Sequence, residues 1–132
     1  MVSVMRITKR LPGLPIERTL GVISGRWKAV IVHALLSGPK RNCELAKQIA
    51  GISQKVLVEQ LRALEEHGLV HRQAFTDEAP RVDYALTPLG ISLRPLISQM
   101  YEWGQHHARE FSGTGTLVPC EPAVQEISTG NR

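Results

Sequence analysis

The chain has 132 residues, enough for one domain with a core of its own. Hydrophobic residues make up 42% and charged residues 21%, the ordinary range of a soluble globular protein, and with only 5% aromatic residues the core must be mostly aliphatic. The net charge of +4 permits an anionic partner without naming one, and the longest apolar run, residues 29–36 with His33 inside it, is too short to span a bilayer.

Residues 1–13 are basic, lack apolar periodicity and end in Pro12-Gly13, the marks of a mobile N-terminal arm. Residues 112–132 carry Gly113, Gly115, Pro119, Pro122 and Gly130 and read as a flexible C-terminal tail. Residues 14–111 form the expected folding unit. Pro15 suits the first turn of a first helix, which ends before Gly21 or Gly25. A second helix starts near Arg26, where Trp27, Val30, Ile31 and Ala34 recur at three-to-four spacing and mark a buried face. Gly38-Pro39 stops it. Asn42 is the expected N-cap of a third helix, with Leu45, Ala46 and Ile49 inward. Gly51 breaks that helix and Ser53 caps a fourth.

The fourth helix places Leu57, Leu61 and Leu64 on one side and Lys55, Glu59, Arg62 and Glu66 on the other. His67-Gly68 ends it. Residues 69–76 and 82–86 are rich in strand formers and flank Asp77-Glu78-Ala79-Pro80-Arg81, a hairpin with a polar tip. Thr87-Pro88 restarts helix by cap followed by proline. Leu89, Leu93, Leu96, Met100 and Trp103 then follow 4-3-4-3 spacing, a seam for another helix, over a helix expected at about 88–111. Pro95 lies inside that run and must kink it or cost it a hydrogen bond. The fold class expected is mainly α with a small β-hairpin. Two helices joined by a few residues around Gly51, followed at once by a hairpin, make a winged helix-turn-helix, and the 4-3 seam gives its last helix a helix-pairing surface.

That order gives the outward residues a chemistry. A recognition helix presents its N-terminal residues to base edges in the major groove. Gln54 can read adenine through its amide, and Lys55 can donate to guanine or phosphate. Arg62 lies two turns on along the same face as Glu59. Ser53 adds a hydroxyl, and the helix N-terminus adds amides for a phosphate. A lone helix with this pattern would be an ordinary solvated face; the short turn before it and the hairpin after it favour the DNA reading. Arg81, beside Pro80 at the hairpin tip, suits a minor groove or a phosphate, although Asp77, Glu78 and Asp83 dilute its field. Lys40, Arg41 and Lys47 are candidate backbone contacts, as are Arg26 and Lys28.

Several segments taken together carry a resemblance. They are Gly25-Arg26-Trp27-Lys28, Gly38-Pro39-Lys40-Arg41-Asn42-Cys43-Glu44-Leu45, and Gly51-Ile52-Ser53-Gln54-Lys55-Val56-Leu57. Gln60-Leu61-Arg62-Ala63-Leu64-Glu65-Glu66-His67-Gly68-Leu69-Val70 and Pro80-Arg81-Val82-Asp83-Tyr84-Ala85-Leu86-Thr87-Pro88-Leu89-Gly90 complete the set. Over roughly residues 13–108 the chain closely resembles the HxlR-type winged-helix transcriptional regulators. The resemblance implies a homodimer built through the first and last helices, each subunit presenting one recognition helix to a palindromic site on double-stranded DNA. Many such regulators carry a sensing cysteine just before the Pro-x-Glu segment of the first helix. Here Leu14 stands before Pro15-Ile16-Glu17, and leucine has no thiolate to oxidise.

Cys43 falls in the first turn of the third helix, where the dipole favours a thiolate; the plainer expectation is a small, partly buried residue. Neither Cys43 nor Cys120 belongs to a Cys-x-x-Cys, and no secretory signal follows Arg6, Lys9 and Arg10, so a reducing cytoplasm is expected. His67 and His71 are split by Gly68, and His106-His107 point apart on a helix, so no metal or other cofactor is expected. No phosphate loop, nucleophile elbow or paired carboxylate suggests an enzyme. Two alternatives to a simple DNA-binding regulator stay open. One is a protein-interaction module using Glu59, Glu65 and Glu66. The other is a regulator with a small-molecule effector pocket near the dimer helices, involving Trp27, Met100 and Trp103.

Overall fold

The computed structural model describes residues 11–76 and 79–112. Residues 1–10 of the arm expected over 1–13, residues 113–132 of the tail expected over 112–132 (with Cys120), and the hairpin-tip acids Asp77 and Glu78 lie outside the described residues. The elements in chain order are α1 (Pro15–Ile23), α2 (Lys28–Leu35), β1 (Lys40–Arg41), α3 (Asn42–Gln48) and α4 (Gln54–Glu66). Then come β2 (Val70–Phe75), β3 (Arg81–Leu86), α5 (Pro88–Ile91) and α6 (Arg94–Ser112). Among the described residues no helix is long and apolar enough to cross a membrane.

The core forms around α2. Its Ile31, Val32, Ala34 and Leu35 are all buried, so it is apolar on most sides and packs against α1, α3, α4, α6 and β3. Leu45 and Ile49 of the α3 region and Leu57, Leu61 and Leu64 of α4 close over it. These are the inward faces expected from the spacing. Of the two expected ends of α1, the structure takes the one before Gly25, with Gly21 inside the helix, and α2 begins at Lys28, after Trp27.

The sheet differs from the expected two-stranded hairpin. Lys40 and Arg41 form a third strand, giving the antiparallel order β1-β3-β2. Lys40 pairs with Tyr84 and Arg41 with Asp83. On the other side of β3, Gln73 lies opposite Asp83 and Phe75 opposite Arg81. Tyr84 and Leu86 point into the core, so by strand alternation Arg81 and Asp83 point away from it.

The α4–wing junction is built from backbone. Gly68, with φ 78°, donates to the Glu65 carbonyl and Leu69 to the Leu64 carbonyl, the paired bonds of a Schellman end. Thr87 then ties β3 back to it. Its hydroxyl donates to the Gly68 carbonyl at 2.6 Å, its amide donates to the Leu69 carbonyl at 2.9 Å, and its Oγ1 accepts from the Gly90 amide at 3.0 Å. A Cβ on Gly90 would lie 2.2 Å from the Leu69 carbonyl oxygen, so only glycine permits this approach.

The expected continuous C-terminal helix is two helices. α5 ends at Ile91, Ser92 and Leu93 turn, and α6 starts at Arg94. Pro95 therefore occupies the first turn of α6, where its missing N–H is not needed. Leu93 packs against the core and drops out of the surface seam, and Leu89 sits on the separate α5, half-exposed.

Gly90→Ala is expected to lower unfolding free energy by about 3 kcal/mol, because the methyl group meets backbone that cannot rotate away. A urea denaturation midpoint equal to that of the unaltered chain would refute this account of the junction.

Candidate nucleic-acid interface

α3 and α4 are joined by residues 49–53, in which Gly51 adopts φ 88°. That left-handed backbone turns the chain in the space available and is open to glycine at little cost. The Gly51 backbone lies against the Trp27 ring, since a Cβ there would come within 3.8 Å of it. Ser53 is the N-cap of α4, as its position suggested, and its Oγ accepts from the Val56 amide at 3.2 Å.

Asn42 is not the N-cap of α3. Arg41 holds that position and Asn42 is the first helical residue. The Arg41 amide instead donates to the Glu44 side chain at 2.7 Å, which satisfies an N-terminal donor without an Asn cap. Asn42 is thereby released for a different contact: its Oδ1 accepts a hydrogen bond from Gln54 Nε2. The first residues of α3 and α4 are thus pinned side chain to side chain. The Gln54 amide nitrogen has a second hydrogen and its carbonyl has its lone pairs, so both amide atoms remain able to meet a base edge.

Behind Gln54, Lys55, Glu59 and Arg62 are all exposed. At about 100° per residue they fall within roughly 60° of one another, opposite Leu57, Leu61 and Leu64. The face alternates in sign, and no ion pair joins these three side chains among the described residues. Lys47, in the last turn of α3, is exposed as well.

The wing presents a second cluster. Arg81 is not loose at the hairpin tip; it is the first residue of β3. Its guanidinium lies 4.4 Å above the Phe75 ring centroid, and its Nε donates to Asp83 Oδ1 at 3.3 Å. The third strand brings Arg41 beside Asp83, on the same face by register. Asp83 therefore lies between two arginines that are 40 residues apart in sequence. Nothing in the local pattern of Lys40-Arg41 announces a strand of two residues; its pairing partner is remote.

The remaining candidates are scattered. Arg26 stacks on Trp27 with its guanidinium 4.4 Å from the ring centroid, and Lys28 is half-buried at the start of α2. Cys43 is an exposed thiol in the first turn of α3, not the partly buried residue expected. On α6, Met100 and Trp103 are exposed, and Trp103, His107 and Phe111 stack successively at centroid distances of 5.1 Å.

The HxlR-like helix-turn-helix family matches residues 22–112. The HTH-type transcriptional regulator YkvN of Bacillus subtilis is 39% identical over 106 residues, which span 80% of this chain and 90% of that protein. Among solved structures, the redox regulator HypR in its reduced form superposes with a TM-score of 0.71 at 38% identity, covering 76% of this chain and 99% of that one. The reduced form of the transcriptional regulator YodB from B. subtilis superposes with a TM-score of 0.64 at 34% identity, covering 76% of this chain and 95% of that one.

Removing the α4 cap tests how the site is held. Ser53→Ala is expected to cost about 1 kcal/mol of stability, and its native-state hydrogen exchange should rise in the first turn of α4. Unchanged protection of the Val56 amide would show that the cap does not anchor this end.

Proposed function

The chain belongs to the HxlR-like helix-turn-helix family and is a transcriptional regulator of the helix-turn-helix type, and we propose that it acts by binding double-stranded DNA sequence-specifically as a homodimer. The observation that carries this reading is α4: a Ser53-capped helix, pinned to α3 through Gln54 and Asn42, with Lys55 and Arg62 on its outward side. Its first turn would enter the major groove, where Gln54 and Lys55 meet base edges and Arg62 meets phosphate. Arg81 and Arg41 of the wing would grip flanking backbone. Arg81 is already oriented by Phe75 and Asp83, so less rotamer freedom is lost on binding.

Dimerisation has its own support. Leu14, Ile16 and Leu20 on or beside α1 and Leu96, Met100, Trp103 and Phe111 on α6 are large apolar side chains left exposed in the single chain, Ile16 at 77% and Phe111 at 83%. A second copy would cover them and set two recognition helices on a two-fold axis, the symmetry of a palindromic operator. In this reading α1 contributes Leu14 to a packing surface, with no thiol at that place.

Lys55→Ala and Arg62→Ala are each expected to weaken operator binding about tenfold or more, with secondary structure and dimer unchanged. Asp83→Asn should do the opposite, tightening binding a few-fold by unmasking Arg81. Gel-shift titrations over a salt series read all three, and Arg62→Ala should reduce the salt slope by about 1. Equal affinity for operator and random duplex would reject the sequence-specific reading.

Trp103→Glu places a charge in the apolar seam. It is expected to convert the dimer to monomer in sedimentation equilibrium while the circular dichroism spectrum stays native. A variant that sediments as a dimer would exclude this face of α6 from the contact.

A further inference from the structure

A cavity of about 250 Å³ lies where α1, the end of α4 and α5 meet. Its walls are apolar, formed by Val22, Leu69, Leu89 and Leu93, with His67 and Arg18 as the titratable or charged groups. The size is below that of most drug-binding sites and suits a ligand of one ring or a short branched chain. A second cavity of about 150 Å³, between α2 and α6, is lined by Ala29, Val30, Ile97 and Met100, with His33 and Tyr101 as its polar groups and no arginine or lysine.

Arg18 gives the larger cavity a chemical preference. Its Nη1 makes a long contact to the Pro12 carbonyl at 3.5 Å, and among the described residues no carboxylate pairs with it. The two hydroxyls on the wall are committed as donors: Thr19 to the Pro15 carbonyl and Ser92 to the Leu89 carbonyl. The remaining polar groups on the wall are Arg18 and His67; Arg18 carries the fixed positive charge, and its planar fork matches a carboxylate through two parallel hydrogen bonds.

The cavity also touches the junction that sets the recognition helix against the wing. His67 is the C-cap of α4, the Leu69 carbonyl accepts from the Thr87 amide, Leu89 lies on α5 and Leu93 in the turn between α5 and α6. A ligand that packs on these side chains differently in two arrangements of the junction must shift the population between them.

We propose that this cavity is an effector site for a compact monocarboxylate with an apolar body, held by Arg18, and that its occupancy alters DNA affinity through the end of α4. The second half rests on the DNA-binding reading above; the first half does not.

The test uses the full chain with benzoate as probe and benzamide as its uncharged counterpart. Calorimetry should show benzoate binding, a rise in Tm with benzoate concentration, and benzamide about tenfold weaker. Arg18→Gln should bring benzoate down to the benzamide level, and Arg18→Lys should restore part of the difference. Arg18 is exposed, so each variant is expected to keep the unliganded Tm. No benzoate binding, equal binding of acid and amide, or a preference that survives in Arg18→Gln each overturns the site. In gel shifts, benzoate should change operator affinity for the unaltered chain and not for Arg18→Gln. Benzoate that binds without moving operator affinity overturns the coupling and leaves the site standing. A chain that shifts no DNA with or without benzoate rejects the DNA reading, while the calorimetric result keeps its own meaning.

Discussion

The approach of Gly90 to the Leu69 carbonyl governs how this protein is put together. With no Cβ at residue 90, the chain leaving β3 comes close enough for Thr87 to bond both Gly68 and Leu69. A threonine, a proline and a glycine two residues on therefore lock the C-terminal end of α4 to the end of β3 at the base of the wing. α4 and β2 are contiguous, and β2 is paired to β3 along its whole length. The junction closes that strip into a loop of structure whose ends cannot drift apart. α4 and the wing are consequently positioned by backbone hydrogen bonds and sterics more than by surface side chains.

This separation explains why the outward faces tolerate opposed charges. Lys55 and Arg62 are interleaved with Glu59, and Arg81 is paired with Asp83. Exposed pairs of this kind contribute at most about 1 kcal/mol to folding, so they are not there to hold the fold. Under the proposed reading their effect is on what approaches. An acid between two cations lowers the long-range field and leaves short-range hydrogen bonding intact, which weakens indiscriminate attraction to any polyanion relative to contact with a matched one. The third strand strengthens the same effect by bringing Arg41 to Asp83.

Much of this was legible in the sequence, and the reason differs by element. The inward faces of α2, α3 and α4 follow from apolar spacing because burial is decided along one helix at a time: Ile31, Leu45, Leu57, Leu61 and Leu64 are all fully buried. Ser53 as cap and the left-handed end at Gly68 follow from local backbone chemistry in the same way. What escaped was non-local. A strand of two residues has no period to read, so β1 and the Arg41–Asp83 neighbourhood could not be found from Lys40-Arg41. Asn42 has a good cap residue's side chain, but Glu44 satisfies the helix end and Gln54 offers Asn42 a partner 12 residues away. The break at Ser92-Leu93 was half visible: Pro95 required a disruption, and the structure places it three residues earlier, where Leu93 can turn inward to the core. That inward turn also removes Leu93 from the surface seam, an outcome the 4-3 spacing alone does not distinguish.

The apolar faces and the diluted charge bear on one another. A single subunit offers two cations on α4, Lys55 and Arg62, and two on the wing, Arg41 and Arg81, each beside an acid. Under the proposed reading that is too little for tight binding by one copy, since each mobile side chain must be ordered and each phosphate contact is screened by salt. Linking two such modules rigidly turns the second contact into an intramolecular one, and affinity rises without any new residue at the interface. The exposed leucine, isoleucine and tryptophan side chains of α1 and α6 are on the elements that would make that link, and they are not needed for the core of a single chain. A weak reader with a sticky back is thus a consistent design: discrimination resides in α4 and the wing, and strength comes from pairing. Under the same reading the Arg18 cavity would have leverage, because α1 both lines it and carries part of the proposed pairing surface while His67 at the end of α4 also lines it. A small displacement there would change the spacing of two reading heads at once.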